Sequence, residues 1–262
     1  MARMYSLFSS SSGNCTYIGD ESSGILIDAG VSCKKICTAL ENAGIPLTAV
    51  RGIFITHTHT DHIAGLKVLT KKLKVPVYSL AGNLQILAEN DKVCAECDLR
   101  ETDISSPTEV GGYSVTAFET PHDTPVSCGF RITAPKGASC AVCTDLGEVT
   151  EDIHAQLVQC RLVLLESNYD PKMLKLSPYP PELQARIASD HGHLSNQACG
   201  REMASLVKAG VYSFVLGHIS QHSNTPTLAE KSAVQALSGY TRGEDYLLTL
   251  AKPEGTGRAV LF

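Results

Sequence analysis

Within His57-Thr58-His59-Thr60-Asp61-His62, three imidazoles and a carboxylate fall in six consecutive positions of a chain that has nine histidines in 262 residues. Neutral imidazole nitrogens and carboxylate oxygens are the ligands that zinc, iron and manganese take. A solvated polar loop would have no reason to gather a third of the histidines in this way. Three further residues of the same chemistry each follow an apolar, strand-like stretch: His122 after Tyr113 to Glu119, Asp145 after Ser139 to Thr144, and His218 after Tyr212 to Leu216. Loops at strand ends commonly converge on one site. Taken together these are seven ligand groups, too many for one tetrahedral ion and suited to two.

The elements needed to position them are legible in outline. Thr16 to Ile18 and Gly24 to Asp28 flank the turn cluster Gly19 to Ser23 and predict a hairpin. Ile36, Ala39, Leu40 and Ala43 predict a helix over Ser32 to Ala43, stopped by Gly44. Gly52 to Thr56 predicts a buried strand, and Ile63, Leu66, Leu69 and Leu73 a helix, so His57 to His62 is a strand-to-helix loop. Val75 to Leu80, Cys128 to Thr133 and Leu162 to Glu166 add strands. Ser195 to Ala209 and about Thr227 to Leu237 add helices, and Asp245 to Lys252 with Ala259 to Phe262 suggests a closing hairpin. Strands and helices alternate without a long Pro- or Ser-rich linker, which predicts one layered α/β domain over residues 1–262.

Composition excludes several classes. The chain is 43% hydrophobic and 19% charged, which is ordinary for a globular protein and rules out wholesale disorder. The longest aliphatic run, Leu162 to Leu165, falls far short of the roughly 20 residues of a membrane span. No apolar secretory stretch opens the chain, so a cytoplasmic location without membrane contact is expected. The net charge of −5 offers no global field for nucleic acid, and Lys67, Lys71, Lys72 and Lys74 read as the wet face of a helix. The ten cysteines include two Cys-x-x-Cys pairs, Cys94/Cys97 and Cys140/Cys143. A four-thiolate zinc site from these is the weaker reading, because Cys140-Ala-Val-Cys143 reads as an apolar strand with small buried residues.

The His57-x-His59-x-Asp61-His62 motif, followed in order by His122, Asp145 and His218, resembles the metallo-β-lactamase superfamily signature over essentially the whole chain. Ser11-Ser12-Gly13-Asn14-Cys15, Leu165-Glu166-Ser167-Asn168, Gly192-His193-Leu194-Ser195-Asn196 and Gly217-His218-Ile219-Ser220 are similar to its WalJ (YycJ) branch. The resemblance implies a four-layer αββα sandwich of the α/β class with two divalent transition-metal ions (Zn, Mn or Fe) at its open edge. His57, His59 and His122 would hold one ion, Asp61, His62 and His218 the other, and Asp145 both. Asp28 matches a position whose carboxylate supports a histidine ligand; the rival reading is a plain turn residue. Such an ion pair activates water and clamps the oxygens of a displacement, with Asp61 orienting the nucleophile or taking its proton.

The branch further implies a metal-dependent hydrolase that acts on DNA, a 5′→3′ exonuclease on double strands. Ser11, Ser12, Gly13 and Asn14 offer hydroxyls and backbone N–H groups for a phosphate, or form only a flexible turn. His193, just before a helix N-terminus that disfavours its cation, would be a neutral hydrogen-bond partner or proton shuttle, or a brace for its loop. His191 reads as incidental, His154 and His222 as surface or supporting residues. The alternatives are a hydrolase of small thioesters, lactones or cyclic phosphodiesters on the same metal pair, and a non-catalytic metal-binding module.

Overall fold

In a computed structural model, which describes residues 2–254 and 258–262, the chain forms two seven-stranded sheets with helices on their outer faces. The first sheet contains β1 (Arg3–Phe8), β2 (Cys15–Gly19), β3 (Gly24–Ile27), β4 (Val50–Phe54), β5 (Val77–Ser79) and β6 (Leu99–Glu101). The second contains β7 (Thr108–Val110), β8 (Tyr113–Glu119), β9 (Cys128–Thr133), β10 (Ser139–Cys143), β11 (Leu162–Glu166), β12 (Ser213–Gly217) and β13 (Leu247–Leu250); β14 (Val260–Leu261) returns to pair with β1. Helices α1 (Cys33–Asn42), α2 (Thr60–Ile63), α3 (Leu66–Leu73) and α4 (Ala81–Glu89) belong to the first half. Helices α5 (Glu151–Leu157), α6 (Pro171–Leu176), α7 (Pro181–Ile187), α8 (Asn196–Lys208) and α9 (Pro226–Ala236) belong to the second.

Three buried clusters account for the four layers. Ile18, Ile25, Phe54, Phe130, Val142 and Leu164 fill the space between the sheets, where Phe54 stacks on Tyr78 at 4.6 Å and meets the edge of Phe130 at 5.4 Å. Such aromatic pairs contribute roughly 0.5–1.5 kcal/mol beyond their area. Ile36, Leu40, Leu66 and Leu69 pack helices on the first sheet, and Ile153, Leu157, Cys199, Met203 and Ala233 pack helices on the second. Strands buried on both faces read as continuous apolar runs, which is why Leu162 to Leu165 looks like a core segment in the sequence. No helix among the described residues is long and apolar enough to cross a membrane.

The direction of the strands places the site. β3 and β4 run parallel, as do β10, β11, β12 and β13; β8 is antiparallel to β9, which is antiparallel to β10, so β8 also ends on the same edge. Ligands of open α/β sheets gather outside such carboxyl ends. Asp28, His57, His122, Asp145 and His218 follow β3, β4, β8, β10 and β12 respectively.

Several expectations change. The closing hairpin does not form: β13 lies parallel to β12 in the second sheet, whereas β14 crosses to the first. Two apolar stretches separated by a turn-like segment resemble a hairpin until another sheet edge competes for one of them. His57 to His62 is only partly a loop, since Thr60 to Ile63 already form α2. The two Cys-x-x-Cys pairs cannot make a thiolate site. Cys140 faces the inter-sheet core and Cys143 the opposite helical layer, as alternate faces of a strand require. All ten cysteines are free.

The backbone just before β2, just after β3 and around α2 is laced together. Asn14 N–H donates to the Asp61 carbonyl, Ala29 N–H to the His62 carbonyl, Gly30 N–H to the Asn14 carbonyl and Gly65 N–H to the Ala29 carbonyl, all at 2.8–2.9 Å. A Cβ on Gly30 would stand 1.6 Å from the Asp61 carbonyl oxygen. Only glycine permits this approach. Gly30→Ala is expected to cost more than about 2 kcal/mol and to lower Tm by about 5 °C or more. Gly239→Ala, where nothing lies within 4 Å of the added Cβ, should shift stability by less than about 0.5 kcal/mol. Thermal unfolding of the two variants checks this.

Candidate metal centre

The predicted ligands converge. Ligand atoms of His57, His59 and His122 lie within 4.8 Å of one another, as do those of Asp61, His62 and His218, and those of His57, His62 and Asp145. The pairwise spacings have a chemical meaning. His59 Nδ1 is 3.3 Å from His122 Nε2, and His62 Nε2 is 3.3 Å from Asp145 Oδ2 and 3.5 Å from Asp61 Oδ2. Ligand bonds of about 2.0–2.1 Å at tetrahedral angles put neighbouring donors about 3.3 Å apart. His57 Nε2, His218 Nε2 and Asp145 Oδ2 are buried and have no hydrogen-bond partner. Buried polar atoms are ordinarily satisfied, so three orphans in one cluster fit a cation.

The far nitrogens of His57, His62, His122 and His218 are fixed by the protein. His62 Nδ1 donates to Asp28 Oδ2 at 2.8 Å, and Asp28 in turn accepts from the Thr56 N–H and hydroxyl. The Thr56 hydroxyl sits 3.0 Å from His57 Nδ1, and His122 Nδ1 donates to the Gly192 carbonyl at 3.0 Å. His218 Nδ1 donates to Glu166 Oε1 at 2.7 Å. Such bonds set the tautomer and aim the remaining nitrogen at the cluster. Three of these residues, Asp28, Asp145 and His218, have φ of 62°, 61° and 50°. Left-handed backbone in a residue other than glycine costs energy and collects at functional sites.

Glu166 and Thr56 had no assigned role in the sequence. Glu166 is fully buried at the end of β11, accepts from His193 Nδ1 at 2.8 Å as well as from His218, and takes the backbone N–H groups of Leu146 and Leu194 on its other oxygen. A carboxylate that closes an apolar strand, paired with Gly217 and so one position short of His218 on the same edge, is the signal that marks it. Its presence also bears on His193. Burial disfavours the imidazolium, but the Glu166 carboxylate outweighs it and holds the His193 pKa above its ordinary value. The ion pair works against the adjacent helix dipole and biases the ring toward its protonated form.

The Ser11 to Asn14 turn divides. Ser11 lines a cleft of about 270 Å³ with His59, Asp61, His193 and Ser220. Asn14 is buried behind it, donating to Asp61 Oδ2 at 3.3 Å and lying 3.0 Å from His62 Nε2. The Ser12 N–H goes to the Ser10 hydroxyl and the Gly13 N–H to the Ser10 carbonyl. His154 pairs with Glu202, His222 packs against Tyr179, and His191 lines a neighbouring hollow of about 640 Å³.

Charge within the cluster is split. Burial and the neighbouring imidazoles hold His57 well below its ordinary pKa, and burial with His122 lowers His59. Burial opposes charge on His62 and His218 too, but Asp145, Asp28, Asp61 and Glu166 raise both well above it. The Asp61 carboxyl, despite its burial, is held far below the usual range by His218 and His62. Without metal, His62 and His218 therefore carry protons near neutral pH. A metal must displace them. Metal loading at pH 7 is expected to release more than one proton per chain and to weaken as pH falls; a pH-indicator titration with Zn²⁺ that finds proton-neutral loading would contradict this.

Comparisons with known proteins agree with this architecture. Residues 24–219 match the Beta-lactamase superfamily domain. The chain is 31% identical over 247 residues to the exodeoxyribonuclease YycJ of Bacillus anthracis, covering 92% of this chain and 91% of that protein. It is 30% identical over 235 residues to the exodeoxyribonuclease WalJ of Streptococcus pneumoniae, covering 88% and 87%. The Zn²⁺-bound structure of PqqB from Methylobacterium extorquens superposes with a TM-score of 0.73 over all of both chains at 18% identity, a likeness of fold.

Proposed function

The chain belongs to the beta-lactamase superfamily and is a metal-dependent hydrolase, and from that premise we propose that it is a DNA exonuclease that degrades double strands from the 5′ end with two divalent ions. The observation that carries this reading is the pair of ligand triads, His57/His59/His122 and Asp61/His62/His218, with Asp145 between them at the floor of an open cleft. That the chain aligns over nine-tenths of its length with a protein named exodeoxyribonuclease supports DNA as the substrate and the whole chain as one functional unit.

Two divalent ions held there would lower the pKa of water and neutralise charge on a phosphodiester. The chain's own residues do the rest. Asp61, held ionised by its histidine neighbours, accepts a hydrogen bond and orients the attacking water or takes its proton. His193, with Nδ1 committed to Glu166, presents its other ring nitrogen to a phosphate oxygen or to the departing one. Ser11 and Ser220 supply hydroxyls along the cleft wall.

Metal-replete protein should release 5′-labelled nucleotides from duplex DNA, with activity below saturation falling as salt rises, because each phosphate contact contributes a slope of roughly −0.9. Asp61→Asn should retain much of its metal and lose at least about a hundredfold in turnover. His193→Ala should impair DNA cleavage more than that of bis(p-nitrophenyl) phosphate, whose good leaving group needs no proton donor. Failure to cut DNA with Zn, Mn or Fe, alongside salt-insensitive hydrolysis of thioesters, lactones or cyclic phosphodiesters, would move the assignment to a small-molecule hydrolase.

A further inference from the structure

One wall of the cleft comes from α7, through Leu183, Arg186 and Ile187. Arg186 is the only Lys or Arg among the described residues lining the cleft, whereas Asp61, Asp123 and Asp145 all line it. α7 buries none of its residues fully; Leu183 and Ile187 are half-buried, and the Ile187 carbonyl accepts from the His193 N–H at 2.9 Å. A side-chain tie exists as well: Arg186 Nε donates to Asp123 Oδ2. The other oxygen of Asp123 is buried without a hydrogen bond, 3.4 Å from His122 Nε2 and 3.8 Å from His59 Nε2. One carboxylate therefore links the guanidinium to the ligand cluster.

The Arg186 side chain is 59% exposed, and Asp123 is its hydrogen-bonding partner through Nε alone. Both terminal nitrogens remain for something in the cleft. An exposed ion pair contributes about 0–1 kcal/mol, which makes stability a weak reason for it. A guanidinium clamped at Nε with its two-pronged end presented outward matches the oxygens of a phosphate. In a chain of net charge −5, a polyanion needs such local cations, because the metal pair serves only the phosphate under attack.

We infer that Arg186, positioned by Asp123, grips the phosphate next to the one being cleaved and so makes the site select polynucleotide strands over single esters. This rests on the nuclease reading above. The test is binding rather than turnover: anisotropy of a fluorescein-labelled duplex with Mn²⁺-loaded Asp61→Asn protein, across a range of salt and with metal content measured in each variant. Adding Arg186→Ala should weaken binding about tenfold at low salt, as for loss of one charge-assisted contact. It should also reduce the log–log salt slope by about 0.9, the value for one phosphate. Arg186→Gln, which keeps an amide for Asp123, should behave the same way. Arg186→Lys should keep the slope but recover only part of the affinity. A steep slope that neither Arg186→Ala nor Arg186→Gln alters overturns this inference and leaves the nuclease reading standing. A flat salt dependence in the Asp61→Asn parent overturns both.

Discussion

Buried carboxylates that grip the outer nitrogens of the histidines are what the rest of the site depends on. Asp28 holds His62 and Glu166 holds both His218 and His193, at 2.7–2.8 Å. A carboxylate this deep is costly unless its lone pairs are filled. Here they are: Thr56 completes Asp28, and the Leu146 and Leu194 amides complete Glu166. Each first oxygen turns a ring, and each second oxygen pins the neighbouring loop. The same charges explain why His62 and His218 hold protons where a cation belongs, while His57 and His59, with no such partner, stay neutral.

The fold makes those grips possible by ending strands of both sheets on one edge. β3 and β4 deliver Asp28 and His57 from one sheet; β10, β11 and β12 deliver Asp145, Glu166 and His218 from the other. Asp28, Asp145 and His218 then turn through left-handed backbone, which sends the chain away while the side chain remains over the core. The lacing of Ala29 and Gly30 to Asp61, His62 and Asn14 fixes the histidine-rich segment against β3. Strain of this kind persists because the packed sheets over-determine it.

Much of this is legible in the sequence. The seven ligand types, their places after apolar strands, the α8 helix with its Ser195 cap and the buried strand at Cys140 all follow from periodicity and spacing. Glu166 has no spacing signature of its own, because its partners are 27 and 52 residues away. For the same reason the helix dipole alone does not reveal the opposing pull of Glu166 on His193. The role of Asn14 also depends on a long-range contact, with Asp61 and His62, that local pattern cannot announce. Short strands such as β6 and β7, three residues each, and the crossing of β14 to the first sheet exist only through pairing with distant neighbours. Local propensity fixes little there.

The central claim is that the two triads hold two ions with Asp145 between them. Anomalous diffraction from crystals soaked in Mn²⁺ measures it directly. The account predicts two anomalous peaks about 3.5–4 Å apart, one enclosed by His57, His59 and His122, the other by Asp61, His62 and His218, with Asp145 touching both. A single peak at full occupancy, or a peak enclosed by Glu166 and His193 in place of either triad, would contradict it.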